Sequence, residues 1–150
     1  MITQLKVNIR KVDAERIRPL RHSELRKGQD FSTTSYLKDY EINTFHMACI
    51  VDDKPVTCAT FYPEKSTKIK TENAYRLRGV ATDSRFKRKG YASNLMAESF
   101  KELKKRDCDM VWCNARLVAV DFYKSVGFKI TGKLFDIEGI GPHYYMYKEI

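Results

Sequence analysis

Residues 74–96 read AYRLRGVATDSRFKRKGYASNLM. The first nine have the character of a strand, with Gly79 set in their middle. A glycine inside a strand marks a bulge or the close approach of a ligand. Four basic residues then crowd into RFKRK, residues 85–89, before Gly90-Tyr91-Ala92 opens a helical run. Over 91–106, Leu95, Met96, Phe100 and Leu103 keep helical spacing on one face, with lysines on the other. MVWC, residues 110–113, is a short apolar strand. Strand, helix and strand in this order form a parallel crossover, which should be right-handed.

Outward from this unit the chain reads simply. KVNIRKV (6–12) alternates like a strand. RIRPLRHSELRKG (16–28) reads as a short helix, with Pro19 tolerable in its first turn and Gly28 as its stop. Residues 28–44 are polar and show no period. FHMACIV (45–51), the turn DDKP and VTCATFY (56–62) make a hairpin. LVAVDFYKSV (117–126) is a second amphipathic helix stopped by Gly127, and FKITGKLF and HYYMYK close the chain as strands. The expected fold is α+β, a mixed sheet with helices on both sides.

A chain of 150 residues, 43% hydrophobic, suits one domain over 1–150 with a full core and no need of disulfide or metal staples. No stretch is long and apolar enough to span a bilayer, and MITQLKVNIRKV has no signal-peptide pattern, so a soluble cytoplasmic protein is expected. Cys49, Cys58, Cys108 and Cys113 form no C-x-x-C pair and the three histidines are scattered, which argues against zinc. Cys49 and Cys58 lie symmetrically about DDKP and are expected as reduced thiols that could be cross-strand neighbours. The net charge of +9 points to an anionic partner, and residues 85–106 carry +6 of it.

The carboxyl end of a crossover strand and the amino end of its helix form a ligand crevice. The first helical turn leaves amides unpaired and carries partial positive charge, so small residues there admit a phosphate. Lys87-Arg88-Lys89-Gly90-Tyr91-Ala92 supplies amides, small residues and cations together. Neither the Walker A nor the G-x-G-x-x-G spacing is present.

These residues resemble the GNAT superfamily of N-acetyltransferases. Residues 77–96 are similar to its cofactor motif, [Q/R]-x-x-G-x-[G/A], with Lys87 standing at the [Q/R] position. Residues 114–128, NARLVAVDFYKSVGF, are similar to its later helix A-x-x-x-Y-x-x-x-G-F, at Ala119, Tyr123, Gly127 and Phe128. LRHSELRKGQ and GIGPHYYM resemble a bacterial subgroup. The resemblance implies a mostly antiparallel sheet of six to seven strands, with a bulged fourth strand opening a slot for the pantetheine arm. It implies acetyl-CoA as cosubstrate. The main chain of Val80, Ala81 and Thr82 would pair with the pantetheine arm. The amides of Arg88, Lys89, Gly90, Tyr91 and Ala92 would hold the pyrophosphate, screened by Lys87 and its cationic neighbours. Either Asn114 or Arg116 takes the place of a family asparagine beside the cofactor, and Phe122 belongs to the same surface.

For mechanism, the resemblance implies that the backbone N–H of Val80 serves the oxyanion and that Tyr123 is the general acid. A phenol of pKa ~10 stays protonated at neutral pH and can pass its proton to a departing thiolate. His46, His143 and Glu72 are the candidate bases; a water chain, or no base for a weakly basic amine, are the alternatives. The acceptor is an unidentified primary amine of a small molecule or protein. In the family it is shaped by 28–44 and the final strands, which here carry Asp30, Asp39, Glu41, Asp136 and Glu138. Homodimers are common in the family. Two competing functions stand beside the enzyme. A nucleic-acid module would use the +6 segment, but only Phe86 and Tyr91 interleave its charges and no nucleic-acid signature is present. A regulator binding acetyl-CoA without turnover would have little use for Tyr123.

Overall fold

In a computed structural model the described residues are 6–150. The reading of MITQLKVNIRKV therefore falls partly on residues 1–5, outside the described residues. The elements run β1 (Val7–Val12), α1 (Ala14–Leu25), a 3-10 turn (Phe31–Thr34), β2 (Phe45–Val51), β3 (Lys54–Pro63) and β4 (Ala74–Thr82). A 3-10 turn (Ser84–Phe86), α2 (Tyr91–Lys105), β5 (Met110–Arg116), a 3-10 turn (Leu117–Ala119), α3 (Val120–Ser125), β6 (Lys129–Ile137) and β7 (Gly141–Glu149) complete the order. The strands form one seven-stranded sheet, β1-β2-β3-β4-β5-β7-β6. The fold is mixed α+β and mostly antiparallel, with β4 and β5 parallel from Ala74–Met110 to Arg76–Trp112. The crossover read from residues 74–113 is present. Among the described residues no helix is long and apolar enough to cross a membrane.

The described residues divide into two compact units, residues 6–62 with 79–99, and residues 63–78 with 100–150. The boundary inside β4 falls between Arg78 and Gly79.

In the first unit, Asp52 and Asp53 make a two-residue hairpin turn, both at positive φ (47° and 71°). Asp tolerates that region better than most side chains do. Cys49 pairs with Thr57 but Ile50 pairs with Pro55, so Val56 is an extra, bulged residue. Its carbonyl accepts the amide of Asp83 at 2.8 Å and so ties the start of β3 to the end of β4. The bulge also corrects the cysteine expectation. Cys58 lies opposite Ala48, not Cys49, so the two thiols project from opposite faces. All four cysteines are free and buried.

α1 begins at Ala14, two residues before the expected start, which leaves Pro19 in its interior. The proline removes one helical hydrogen bond. Burial compensates: Ile17 and Leu20 pack against Ala48, Ile50, Cys58 and Ala81.

Arg21 continues the inward stripe of Ile17 and Leu20, and it is fully buried. Its guanidinium meets Asp39 through two bonds, Nη1 to Oδ2 at 2.8 Å and Nη2 to Oδ1 at 3.0 Å. Nη1 also donates to the Thr34 carbonyl (2.8 Å), and Nη2 to Thr60 Oγ1 (2.6 Å). His46 completes the cluster, with Nδ1 2.8 Å from Thr60 Oγ1 and Nε2 2.9 Å from the Asp39 carbonyl. The period-free segment 28–44 is thus ordered from beneath by side chains of α1, β2 and β3.

The second unit is closed at the amino end of β4. The Asp109 carboxylate accepts the amides of Glu72 (2.8 Å) and Asn73 (3.2 Å). Asn73 Nδ2 donates to the carbonyls of Arg106 and Asp107, both at 3.0 Å, finishing α2. Ala74, Met110, Trp112 and Tyr145 form the core of one sheet face. Trp112 stacks on Tyr145 at 5.3 Å and donates its Nε1–H to the Glu64 carbonyl (2.9 Å).

The environment of His46 sets a pH dependence. Burial pushes its pKa below the usual histidine value, against the opposing pull of the Asp39 carbonyl and charge. The unfolded chain therefore takes up this proton at a higher pH than the folded chain does. Stability should be full above pH ~6.5 and fall as pH drops below it, by at most about 1.4 kcal/mol per pH unit for one proton. Urea melts between pH 7 and 5.5 should show this slope, and His46→Gln should flatten it.

Candidate cofactor and acyl-transfer site

The first unit holds the strand–loop–helix part of the site. Gly79 sits at φ +64°, and a side chain there would meet Tyr36 Cε2 at 2.9 Å and Arg21 Nε at 3.3 Å. The close approach that the sequence suggested for a ligand is instead made by the protein's own side chains. Val80, Ala81 and Thr82 come next, with the Thr57 and Thr82 hydroxyls 3.4 Å apart. Asp83 then shapes the turn. Its Oδ1 accepts the Arg85 amide (2.9 Å), and its Oδ2 pairs with the Arg85 guanidinium (2.8 Å). One of the four cations in RFKRK is thereby neutralised locally.

Lys87, Arg88, Lys89 and Gly90 are exposed. Arg88 (φ 62°) and Gly90 (φ 80°) are both left-handed. Nothing lies within 4 Å of where a Gly90 side chain would sit, so the backbone there is open to approach. The Asn94 amide bonds the Gly90 carbonyl (3.0 Å). The amides of Tyr91, Ala92 and Ser93 precede that bond and belong to the turn that helices leave for outside acceptors. Open backbone, helix start and three exposed cations suit a diphosphate. Beside this loop a cavity of ≈ 550 Å³ opens between α1, the β2–β3 hairpin and residues Asp83–Phe86; Arg16, Pro19, Lys54 and Phe86 are among its walls.

The second unit holds the end of β5 and α3. Asn114 and Phe122 are half-buried and Arg116 is exposed. Tyr123 is buried, its ring 5.4 Å from Phe122 and 5.3 Å from Phe128. Burial holds its phenol well above the ordinary tyrosine value; the neighbouring Cys113 adds to this and Arg116 opposes it. Burial pushes the Cys113 thiol up as well. The phenol is a proton donor throughout the neutral range.

The three candidate bases part company. Both ring nitrogens of His46 are engaged inside the Arg21–Asp39 cluster, which leaves no lone pair for an amine. Glu72 precedes β4 at its amino end, whereas crevices of this kind form at carboxyl ends. His143, opposite Arg116 on β7, stacks on Phe135 at 6.0 Å. Its Nδ1 lies 2.7 Å from the Gly141 carbonyl. A carbonyl only accepts, so Nδ1 carries the proton and the neutral ring keeps its lone pair on Nε2.

Among acidic residues expected at the acceptor, Asp39 is consumed by Arg21 and Asp30 caps the 3-10 turn through the Ser32 amide (2.9 Å). Glu41, Asp136 and Glu138 remain exposed. Among the described residues no cluster of His, Cys, Asp or Glu could hold a metal ion. Sequence reasoning missed Arg21 and Tyr36. The available signal was a charged residue at an inward position of an amphipathic helix, four residues after Ile17.

Comparison with known proteins agrees with the fold and assigns the family. The profile described as Acetyltransferase (GNAT) family matches residues 14–128. The Bacillus subtilis protein named uncharacterized N-acetyltransferase YitI is 31% identical over 144 residues, covering 96% of this chain and 97% of the relative. A crystal structure of an acetyltransferase of the GNAT family from Streptococcus pneumoniae superposes with a TM-score of 0.72 at 16% identity, over 97% of this chain and all of that one. An aminoglycoside 6'-N-acetyltransferase complexed with coenzyme A gives 0.77 at 13% identity, over 95% of this chain and 96% of that one. The two structures share the fold; the profile and the B. subtilis relative carry the kinship further. The chain belongs to the GNAT family of acetyltransferases, and acetyl-CoA is its acyl donor.

Proposed function

We propose that this protein moves the acetyl group of acetyl-CoA directly onto a primary amine, of a small molecule or a protein, with Tyr123 as general acid. The observation that carries the reading is Tyr123 itself, buried on α3 beside Phe122 and Phe128 at the family's tyrosine position, with a phenol that is protonated at neutral pH. Acetyl-CoA, when bound, supplies an activated thioester whose thiolate must leave.

The protein's own groups do the rest. The amides of Arg88–Ala92 hold the diphosphate, with Lys87, Arg88 and Lys89 around it. The main chain of Val80–Thr82 aligns the pantetheine arm, and the Val80 N–H donates to the acyl oxygen as it gains charge. Asn114, Arg116 and Phe122 are the further residues that the resemblance to the family assigns to the cofactor. His143 Nε2 accepts the amine's proton, and the Tyr123 hydroxyl gives its proton to the sulfur. Phe is nearly isosteric with Tyr, so Tyr123→Phe isolates the proton. Acetyl-dependent thiol release, measured against an amine found by thermal-shift screening, should fall about a hundred-fold. The acetyl-CoA Kd should stay within about threefold; unchanged turnover would remove Tyr123 from the mechanism.

Arg88 allows a test of the cradle in which stability and binding change in opposite directions. A left-handed non-glycine residue costs about 1 kcal/mol, so Arg88→Gly should stabilise the fold by up to that amount. The same change removes a cation from the diphosphate site. Calorimetry should show weaker acetyl-CoA binding in a protein that melts at equal or higher temperature.

A further inference from the structure

We propose that Arg21 is a positioning residue for acyl transfer, setting the backbone at Gly79 and so the aim of the Val80 amide. This rests on the proposed function above. Arg21 stacks on Tyr36, its guanidinium carbon 3.8 Å from the ring centroid. That stack occupies the space a side chain at residue 79 would fill, with Tyr36 Cε2 at 2.9 Å, Tyr36 Oη at 3.2 Å and Arg21 Nε at 3.3 Å. Gly79 accommodates it by having no side chain and by turning to φ +64°.

The stack cannot shift freely. Four hydrogen bonds fix the guanidinium to Asp39, Thr34 and Thr60. The Tyr36 amide donates to Asp39 Oδ2 at 2.9 Å, so the same carboxylate holds both halves of the stack. The Gly79 carbonyl is met by the Cys58 thiol at 3.4 Å. Arg21 Nε is left without a hydrogen-bond acceptor. A buried ion pair with an orphaned donor adds little stability compared with apolar packing of the same volume. What the arrangement does supply is a fixed plane against one glycine, held by the segment that shapes the acceptor side in this family. The geometry of residues 34–39 is thereby transmitted to the strand that carries the oxyanion donor.

Two experiments on the full chain decide the matter. Arg21→Met with Asp39→Asn removes both charges together, and the asparagine oxygen can still accept the Tyr36 amide. This variant should melt within a few degrees of wild type and bind acetyl-CoA within about threefold. Its kcat should fall at least tenfold, with the amine KM little changed. Arg21→Lys, which cannot make the paired bonds, should not restore the rate. A folded double variant with kcat within twofold of wild type overturns the proposal. The second experiment needs no activity: Gly79→Ala is made in wild type and in Tyr36→Ala, and the two losses in Tm are compared. A clearly smaller loss without the tyrosine ring supports the stack, and equal losses overturn it. Wild-type protein that takes up no acetyl-CoA would refute the functional reading alone, because the Gly79–Tyr36 comparison stands independently.

Discussion

At Gly79 the chain turns left-handed under a phenol ring. A regular strand would carry the backbone from Ala74 to Thr82 without a break in its pairing geometry. The positive φ at one residue interrupts that regularity and re-aims the next three, Val80, Ala81 and Thr82. The compact units of the chain also exchange at this point, since the first unit resumes at Gly79. Any L side chain there would have to displace the Tyr36 ring and tolerate a backbone region costing about 1–2 kcal/mol.

The polar cluster above Gly79 shows which physical effect dominates locally. Apolar packing of Ile17 and Leu20 on Ala48, Ile50, Cys58 and Ala81 holds α1 to the sheet despite Pro19. The adjacent Arg21–Asp39 pair has the character of a specifying contact. Charges buried together are expensive to desolvate, and their replacement by apolar groups is often neutral. Segment 28–44 has few apolar anchors, since Leu37 and Ile42 are about 95% exposed. The bonds from Arg21 to Thr34 and Asp39 fix its path together with those from Arg18 to Thr34 and Phe31 and from His46 to Asp39. The cluster thus exchanges some stability for a defined conformation in a region without periodicity of its own.

Much of the fold was legible because the relevant stretches are regular. β2 and β4 fall on Phe45–Val51 and Ala74–Thr82, as read from continuous strand-forming residues. The crossover was legible for the same reason: a strand, a glycine-opened helix and a short apolar strand follow one another between Ala74 and Arg116. Other features depend on contacts that no local pattern encodes. A four-residue turn would have paired Cys49 with Cys58. The two-residue turn and the Val56 bulge moved the register by one. β5 extends through Asn114 and Arg116 because Tyr145 and His143 pair with them, although neither residue favours a strand. His46 looked like a base in a line of sequence; with both nitrogens engaged it is a structural tie.

The central claim is that backbone amides of the first unit receive the coenzyme. The direct measurement is amide chemical-shift mapping on isotope-labelled full-length chain as coenzyme A is added. The account predicts saturable shifts at Val80–Thr82 and at Arg88–Ala92, with β1 residues such as Ile9 unmoved. No shifts at millimolar coenzyme A, or shifts confined to the cavity around Arg16, Pro19 and Lys54, would contradict it.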